Sequence, residues 1–317
     1  MSMWQLQPIN KDTYNCFQFL TTTIAKFYNC DYRLMMLELW GFMFDSTVNG
    51  TIGDKLKLCW NFRTERRKHL LNYHGMSFDI IITQGLDIEQ FVHEKLSDCP
   101  VAVYIDSYIC SWVPFYQKLH RPHALFILDE NADTYIFLDQ YFKDNEMNKI
   151  DKEFVQSNAS SIVIFEPTSK GSDIEIDNSV KESIVNWEQY GFCQYESFIS
   201  DMKNNFNVEV EITSDPVASK LIMYLKNISE DRMNFIEAVN LFEEYFQSDL
   251  STVKNHLTDI ARRYEKLRAY IIKCAYSHRG HKTEIIANEL DQIYLSERFI
   301  YEEIKMLVNK NGEQSYG

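Results

Sequence analysis

No run of the sequence approaches the roughly 18 consecutive apolar residues of a membrane-spanning helix. The opening MSMWQLQPINKDTY also lacks the basic start and apolar stretch of a secretory leader. No C-x-x-C pair or clustered Cys/His spacing occurs, which leaves a structural zinc site without support. The seven cysteines are odd in number, follow no paired spacing and sit mostly among apolar neighbours, as in KLCWNF and YIIKCAY. That usage fits a reducing cytoplasm rather than a disulfide framework. There is no repeat of fixed period and no low-complexity tract. Basic residues are the scarce charge: 32 Lys and Arg against 46 Asp and Glu leave −14. Such a field repels polyanions and argues against nucleic acid as partner. It would attract a cationic small molecule such as an amine, although an acidic surface also serves solubility alone. The expectation is a soluble cytoplasmic protein with neither membrane nor nucleic acid as partner.

At 317 residues with 45% hydrophobic content the chain can bury a real core in one large or two ordinary domains. Residues 15–29, NCFQFLTTTIAKFYN, carry Phe17, Leu20, Ile24 and Phe27 at helical spacing, and residues 31–44 read as a second helix. Strand-like runs follow: KLKLCWNF, MSFDIII, PVAVYIDSY after a helix over 88–96, HALFILDEN, TYIFLDQYF and SIVIFEP. Strands at that density behind two helices suggest an α+β domain over residues 1–168. From 169 the polar TSKGSDIEIDNS opens a mainly helical half, residues 169–317, with periodic segments at 180–190, 195–205, 216–227, 233–246, 250–277 and 296–308. The first 170 residues hold 16 basic and 21 acidic residues, leaving 16 and 25, so the helical half is the more acidic.

A thiol becomes a nucleophile as its thiolate is stabilised, and a helix start favours the anion through its unpaired N–H groups and dipole. Cys16 opens the first predicted helix. Cys30 trails that helix, Cys59 and Cys110 lie in apolar strand-like runs, and Cys274 is on an apolar helix face. HALFILDENADTYIFLDQ reads as a hairpin around DENAD, so His123 at the start of one strand and Asp139 at the end of the other lie side by side. The carboxylate would fix the ring tautomer while the ring takes the thiol proton. His120, placed before Pro122 and outside the strand, reads as a loop or binding residue, while His69, His74 and His93 read as surface residues. Asp106 ends PVAVYID near Tyr108 and other aromatics, which makes it a substrate-pocket candidate. The Cys16 backbone N–H supplies one oxyanion donor, and Gln7 or Asn10 are candidates for a second.

These segments resemble the N-terminal domain of the family named for butirosin biosynthesis protein H, over roughly residues 15–142. The resemblance is carried by NCFQFLTTTIAKFYNCDYRLMMLELWGFMF and by CPVAVYIDSYICSWVPFYQKLHRPHALFILDENADTYIFLDQYF. The chain departs from the family pattern at Asn15, where a His is frequent, and at LDENAD. The resemblance implies a papain-like cysteine-protease fold, followed here by the helical half, with Cys16, His123 and Asp139 as its catalytic set. It implies an acyltransferase of secondary metabolism, such as antibiotic biosynthesis. The acyl group would come from the phosphopantetheine thioester of an acyl carrier protein and pass through Cys16 to an amine, with no cofactor bound by the enzyme itself. An acidic carrier would dock on a basic patch, for which Arg63, Arg66, Arg67 and Lys68 in NFRTERRKHL are the candidates.

Two other readings stay open in the sequence. The same triad serves papain-like peptidases and amide or thioester hydrolases, and a scaffold can keep the fold without chemistry. The helical half is expected to cap the site and shape the acceptor pocket, or to mediate self-association, and its sequence does not choose between them.

Overall fold

A computed structural model describes residues 4–57, 73–142, 147–169, 174–212, 215–277 and 282–314. The protein is α+β, and the chain separates into two compact units. The first comprises Met1–Tyr32 and Leu70–Gly171, and the second Arg33–His69 and Ser172–Gly317. The chain therefore passes from one unit to the other three times rather than dividing at a single position near 169. Segment 33–69, expected with the first domain, belongs to the second unit.

In the first unit, helix α1 (Cys16–Phe27) starts at a capping box. The Asn15 side chain accepts from the Gln18 N–H at 3.0 Å, and the Asn15 N–H donates to the Gln18 side chain at 2.9 Å. The helix buries Phe19, Leu20 and Ile24, while the buried Thr21 and Thr22 hydroxyls donate to carbonyls one turn back, both at 2.8 Å. It ends where Asn29 takes φ 53° and the Cys30 N–H reaches back to the Ala25 carbonyl at 2.8 Å.

Six strands follow: β1 (Met76–Ile82), β2 (Val101–Asp106), β3 (Pro122–Glu130), β4 (Thr134–Leu138), β5 (Asn148–Asp151) and β6 (Ala159–Pro167). They form one antiparallel sheet in the order β1-β6-β2-β3-β4-β5. Successive side chains on a strand point to opposite faces. On one face Phe126 meets Phe19 of α1 and Phe165. On the other, Leu125 and Ile127 join Val101, Val103 and Ile105 against Ile88, Val92 and Leu96 of helix α2 (Ile88–Leu96). With both faces covered, the central strands read as continuous apolar runs instead of alternating ones.

Strand β5 and the following helix α3 (Lys152–Asn158) escaped the sequence reading. Between 148 and 158 only Ile150 and Val155 are buried, too few to set a period.

The second unit is built on helices α4 (Ile174–Asn186), α5 (Phe192–Asn204), α6 (Lys220–Phe246), α7 (Ser251–Ser277) and α8 (Thr283–Gln314), with a two-residue ladder between Met43–Phe44 and Leu56–Lys57. The expected second helix is instead a 3-10 segment, Arg33–Trp40. All of Leu34–Trp40 except Glu38 is buried, so the apolar positions run all around the segment and define no single helical face.

The expected break between 227 and 233 is also absent, because the polar stretch there is solvated by the protein. Fully buried Arg232 donates from Nε to Glu297 Oε1 at 2.6 Å and from Nη1 to the Leu39 carbonyl at 2.6 Å. Trp40, stacked on Phe235 at 5.4 Å, donates to Glu297 Oε2 at 3.2 Å. Burial raises Glu297 above its ordinary carboxyl range despite the Arg232 charge. Arg232→Met strands that carboxyl without its cation and is expected to cost the second unit about 3–5 kcal/mol. The double change Arg232→Met, Glu297→Met should recover much of that loss. Urea unfolding of the three proteins checks both expectations, and equal loss in single and double variants would contradict them.

No helix among the described residues is long and apolar enough to cross a membrane. Arg63, Arg66, Arg67 and Lys68, the expected docking patch, lie outside the described residues.

Candidate active site

All three residues of the expected triad fall in the first unit. Cys16 is the first residue of α1, directly after its Asn15 cap, and its Sγ lies 3.9 Å from the Pro122 carbonyl. His123 is the second residue of β3, and Asp139 is the first residue beyond β4. The β3–β4 register pairs Phe126 with Leu138 and Ile127 with Phe137. Continued towards the sheet end, that register brings His123 level with Tyr141, whose ring centroid lies 5.4 Å from the imidazole. Asp139 then reaches His123 Nε2 at 2.5 Å through Oδ2. The ring's other nitrogen, Nδ1, is left on the side away from Asp139, and the Cys16 thiol acts on the same imidazole, favouring its charged form.

Asp139 is buried, and its charge is satisfied three times over. Besides His123, Trp112 Nε1 donates to Oδ2 at 2.8 Å and the Tyr141 N–H donates to Oδ1 at 2.9 Å. A carboxylate held by that many donors fixes both the position and the tautomer of its imidazole. His123 is 4% exposed, and burial works against its charged form. The hydrogen bonds to Asp139 and Cys16, with the Asp139 charge, outweigh it and raise the imidazole to about 9.

Three other cysteines lie in this unit. Burial pushes the Cys110 thiol up to about 12, with the Asp139 and Asp106 charges adding to it, and burial also raises Cys30 and Cys99. A buried thiol with a raised pKa is an inert one.

The residues expected in a substrate pocket divide into two groups. Asp106, Tyr108 and His120 come together beside the triad at the same end of the sheet. Asp106 pairs with Pro122 across the β2–β3 ladder, one position from Ile105 and His123. Its Oδ2 lies 2.6 Å from His120 Nδ1, its Oδ1 accepts the Tyr108 N–H at 2.9 Å, and the Tyr108 ring stacks on the imidazole at 4.2 Å. Burial disfavours the Asp106 anion, but the His120 hydrogen bond and the Tyr108 N–H hold it below its ordinary value. The His120 side chain is 71% exposed, so this cluster faces solvent where the triad does not.

Gln7 and Asn10 do not converge in this way. Gln7 is exposed, while Asn10 donates from Nδ2 to the Gln140 carbonyl at 2.7 Å and so braces the turn that carries Asp139.

Of the histidines expected on the surface, His93 is exposed and pairs with Glu130, whereas His74 is buried against Tyr73; His69 lies outside the described residues. Trp112, Tyr141 and Arg121 are the neighbours that sequence reasoning missed. Their one signal was position, in the aromatic-rich stretch before His123 and the two residues after Asp139.

Among the described residues no group of three or more His, Cys, Asp or Glu side chains could hold a metal ion. Comparison with known proteins found no matching family model and no match among the curated proteins.

A raised imidazole pKa carries a stability consequence of definite sign. Protonation of His123 stabilises the fold fully below the ordinary value of 6.5 and loses that contribution as pH rises through about 9. Unfolding measurements should therefore show wild type losing stability between pH 6.5 and 9 relative to Asp139→Asn, in which the carboxylate charge is gone. Parallel pH curves for the two proteins would contradict the assignment.

Proposed function

We propose that this protein is an acyltransferase using Cys16 as nucleophile, His123 as the proton carrier and Asp139 as the residue that orients the ring. The observation that carries the reading is the buried His123, bonded by Nε2 to Asp139 at 2.5 Å, with the Cys16 thiol at a helix start acting on the same ring. An imidazole raised to about 9 is charged at neutral pH and is the counter-ion a thiolate needs. The resemblance to the butirosin biosynthesis protein H N-terminal domain supports a papain-like arrangement of these parts. From it we take the substrates, an acyl thioester on the phosphopantetheine of a carrier protein and an amine acceptor. The six described cysteines are all unpaired, which agrees with action in a reducing cytoplasm.

In this reading the Cys16 thiolate attacks the thioester carbonyl, and the oxyanion is met by N–H groups of the first turn of α1, beginning with that of Cys16. The C–S bond to the donor breaks, and the leaving thiolate takes the His123 proton. The acyl group is then on Cys16. An incoming neutral amine attacks that acyl carbon, His123 accepts its proton, and Cys16 departs as thiolate. The products are an amide and the free donor thiol. Hydrolysis follows the same steps with water as acceptor.

Single-turnover mass spectrometry with an acyl N-acetylcysteamine thioester tests the proposal. An acyl adduct on Cys16 is expected, discharged faster by added amines than by buffer. Cys16→Ala should abolish the adduct, and His123→Ala should slow its formation by roughly 10²–10⁴-fold. Discharge at one rate with and without amines would assign the site to hydrolysis. Absence of any adduct would remove the nucleophile.

A further inference from the structure

Six of the seven described arginines lie 2.5–3.8 Å from a carboxylate: Arg33, Arg232, Arg262, Arg263, Arg268 and Arg298. Arg121 is the exception and has no acidic partner among the described residues. In a chain with 46 acidic residues that is not for want of anions. The side chain is half-buried, and its guanidinium lies over the Phe115 ring, 5.0 Å from the centroid. Its backbone is pinned on both sides by Ser107: the Arg121 N–H donates to the Ser107 hydroxyl at 3.2 Å, and the Arg121 carbonyl accepts the Ser107 N–H at 2.8 Å. Burial lowers Arg121, and among the described residues the titratable group acting on it is Tyr141, which packs on the His123 ring. Partly desolvated cations ordinarily find a counter-charge. The next residue in the chain, Pro122, supplies the carbonyl 3.9 Å from Cys16 Sγ.

We propose that Arg121 is a specificity-determining residue that binds a carboxylate on the small reacting partner at Cys16. The inference rests on the acyl-transfer reading and deepens it. A guanidinium over an aromatic ring, with no acid beside it among the described residues, is left for the planar, two-oxygen recognition that carboxylates favour. Its place in the chain, one residue before the carbonyl that lies 3.9 Å from Cys16 Sγ, suits a carboxylate near the reacting carbon better than one at the far end of a carrier arm. Two sources share that chemistry, an acidic acyl group or an amino-acid acceptor.

The test compares iodoacetate, which carries a carboxylate, with neutral iodoacetamide in wild type, Arg121→Gln and Arg121→Lys, reading Cys16 by peptide mass mapping and exposed Cys193 as internal control. His123 stays in place in all three, so its own attraction for the anion cancels. The iodoacetate-to-iodoacetamide rate ratio at Cys16 is expected to fall by roughly tenfold in Arg121→Gln, the effect of losing one charge-assisted hydrogen bond, and to be kept only in part in Arg121→Lys, which retains the charge but not the planar fork. An unchanged ratio at a Cys16 that still outpaces Cys193 overturns the inference and leaves the nucleophile standing. A Cys16 no faster than Cys193 in wild type overturns the acyl-transfer reading and the role of Arg121 with it.

The source follows from two preferences that Arg121→Gln should erase. Faster acylation by a succinyl than by a butyryl N-acetylcysteamine thioester assigns the carboxylate to the acyl group. Faster discharge by β-alanine than by propylamine assigns it to the acceptor. Wild type lacking both preferences contradicts the proposal.

Discussion

The hydrogen bond between His123 and Asp139 is the constraint on which the candidate site depends. It links the second residue of one strand to the first residue beyond the next, so it forms only if the β3–β4 hairpin closes in the observed register. A slip of one residue by either strand would turn its side chain to the opposite face of the sheet and separate the two. The same bond sets the electrostatics: a buried carboxylate keeps a buried imidazole charged against the cost of desolvation. Trp112 and the Tyr141 N–H hold the carboxylate, Asn10 braces the turn that carries it, and the capped start of α1 delivers the thiol. Each part is local, and the hairpin register makes them one site.

Three buried or half-buried charges illustrate how differently the chain treats ions. Asp139 is satisfied by three donors, and Glu297 by Arg232 and Trp40. Both are closed systems in which every partner comes from the protein. Arg121 is open, with an aromatic ring beneath it and no acid beside it among the described residues. Closed networks fix a structure, and the open charge is the one proposed to bind a carboxylate.

The parts of the fold legible in the sequence were those where one physical signal dominated. The helical spacing of Phe17, Leu20, Ile24 and Phe27 gives α1, DENAD between two apolar runs announces the hairpin, and residues 88–96 read as a helix, where α2 lies. Cys16, His123 and Asp139 followed from those elements because each sits at an element end. What stayed hidden depended on distant partners. The 3-10 segment at 33–40 and its place in the second unit, the uninterrupted α6 around Arg232, and the polar β5–α3 stretch are all set by contacts that no local period encodes. Trp112 was invisible for the same reason, since its role exists only once Asp139 is folded against it.

The central claim is that His123, held by Asp139, activates Cys16. Its most direct test is the rate of Cys16 alkylation by iodoacetamide between pH 5 and pH 9, mapped by peptide in wild type and His123→Ala with exposed Cys193 as reference. The account predicts that wild-type Cys16 outpaces Cys193 at and below neutral pH and that the advantage disappears in His123→Ala. A Cys16 that tracks Cys193 across the whole range in both proteins would contradict it.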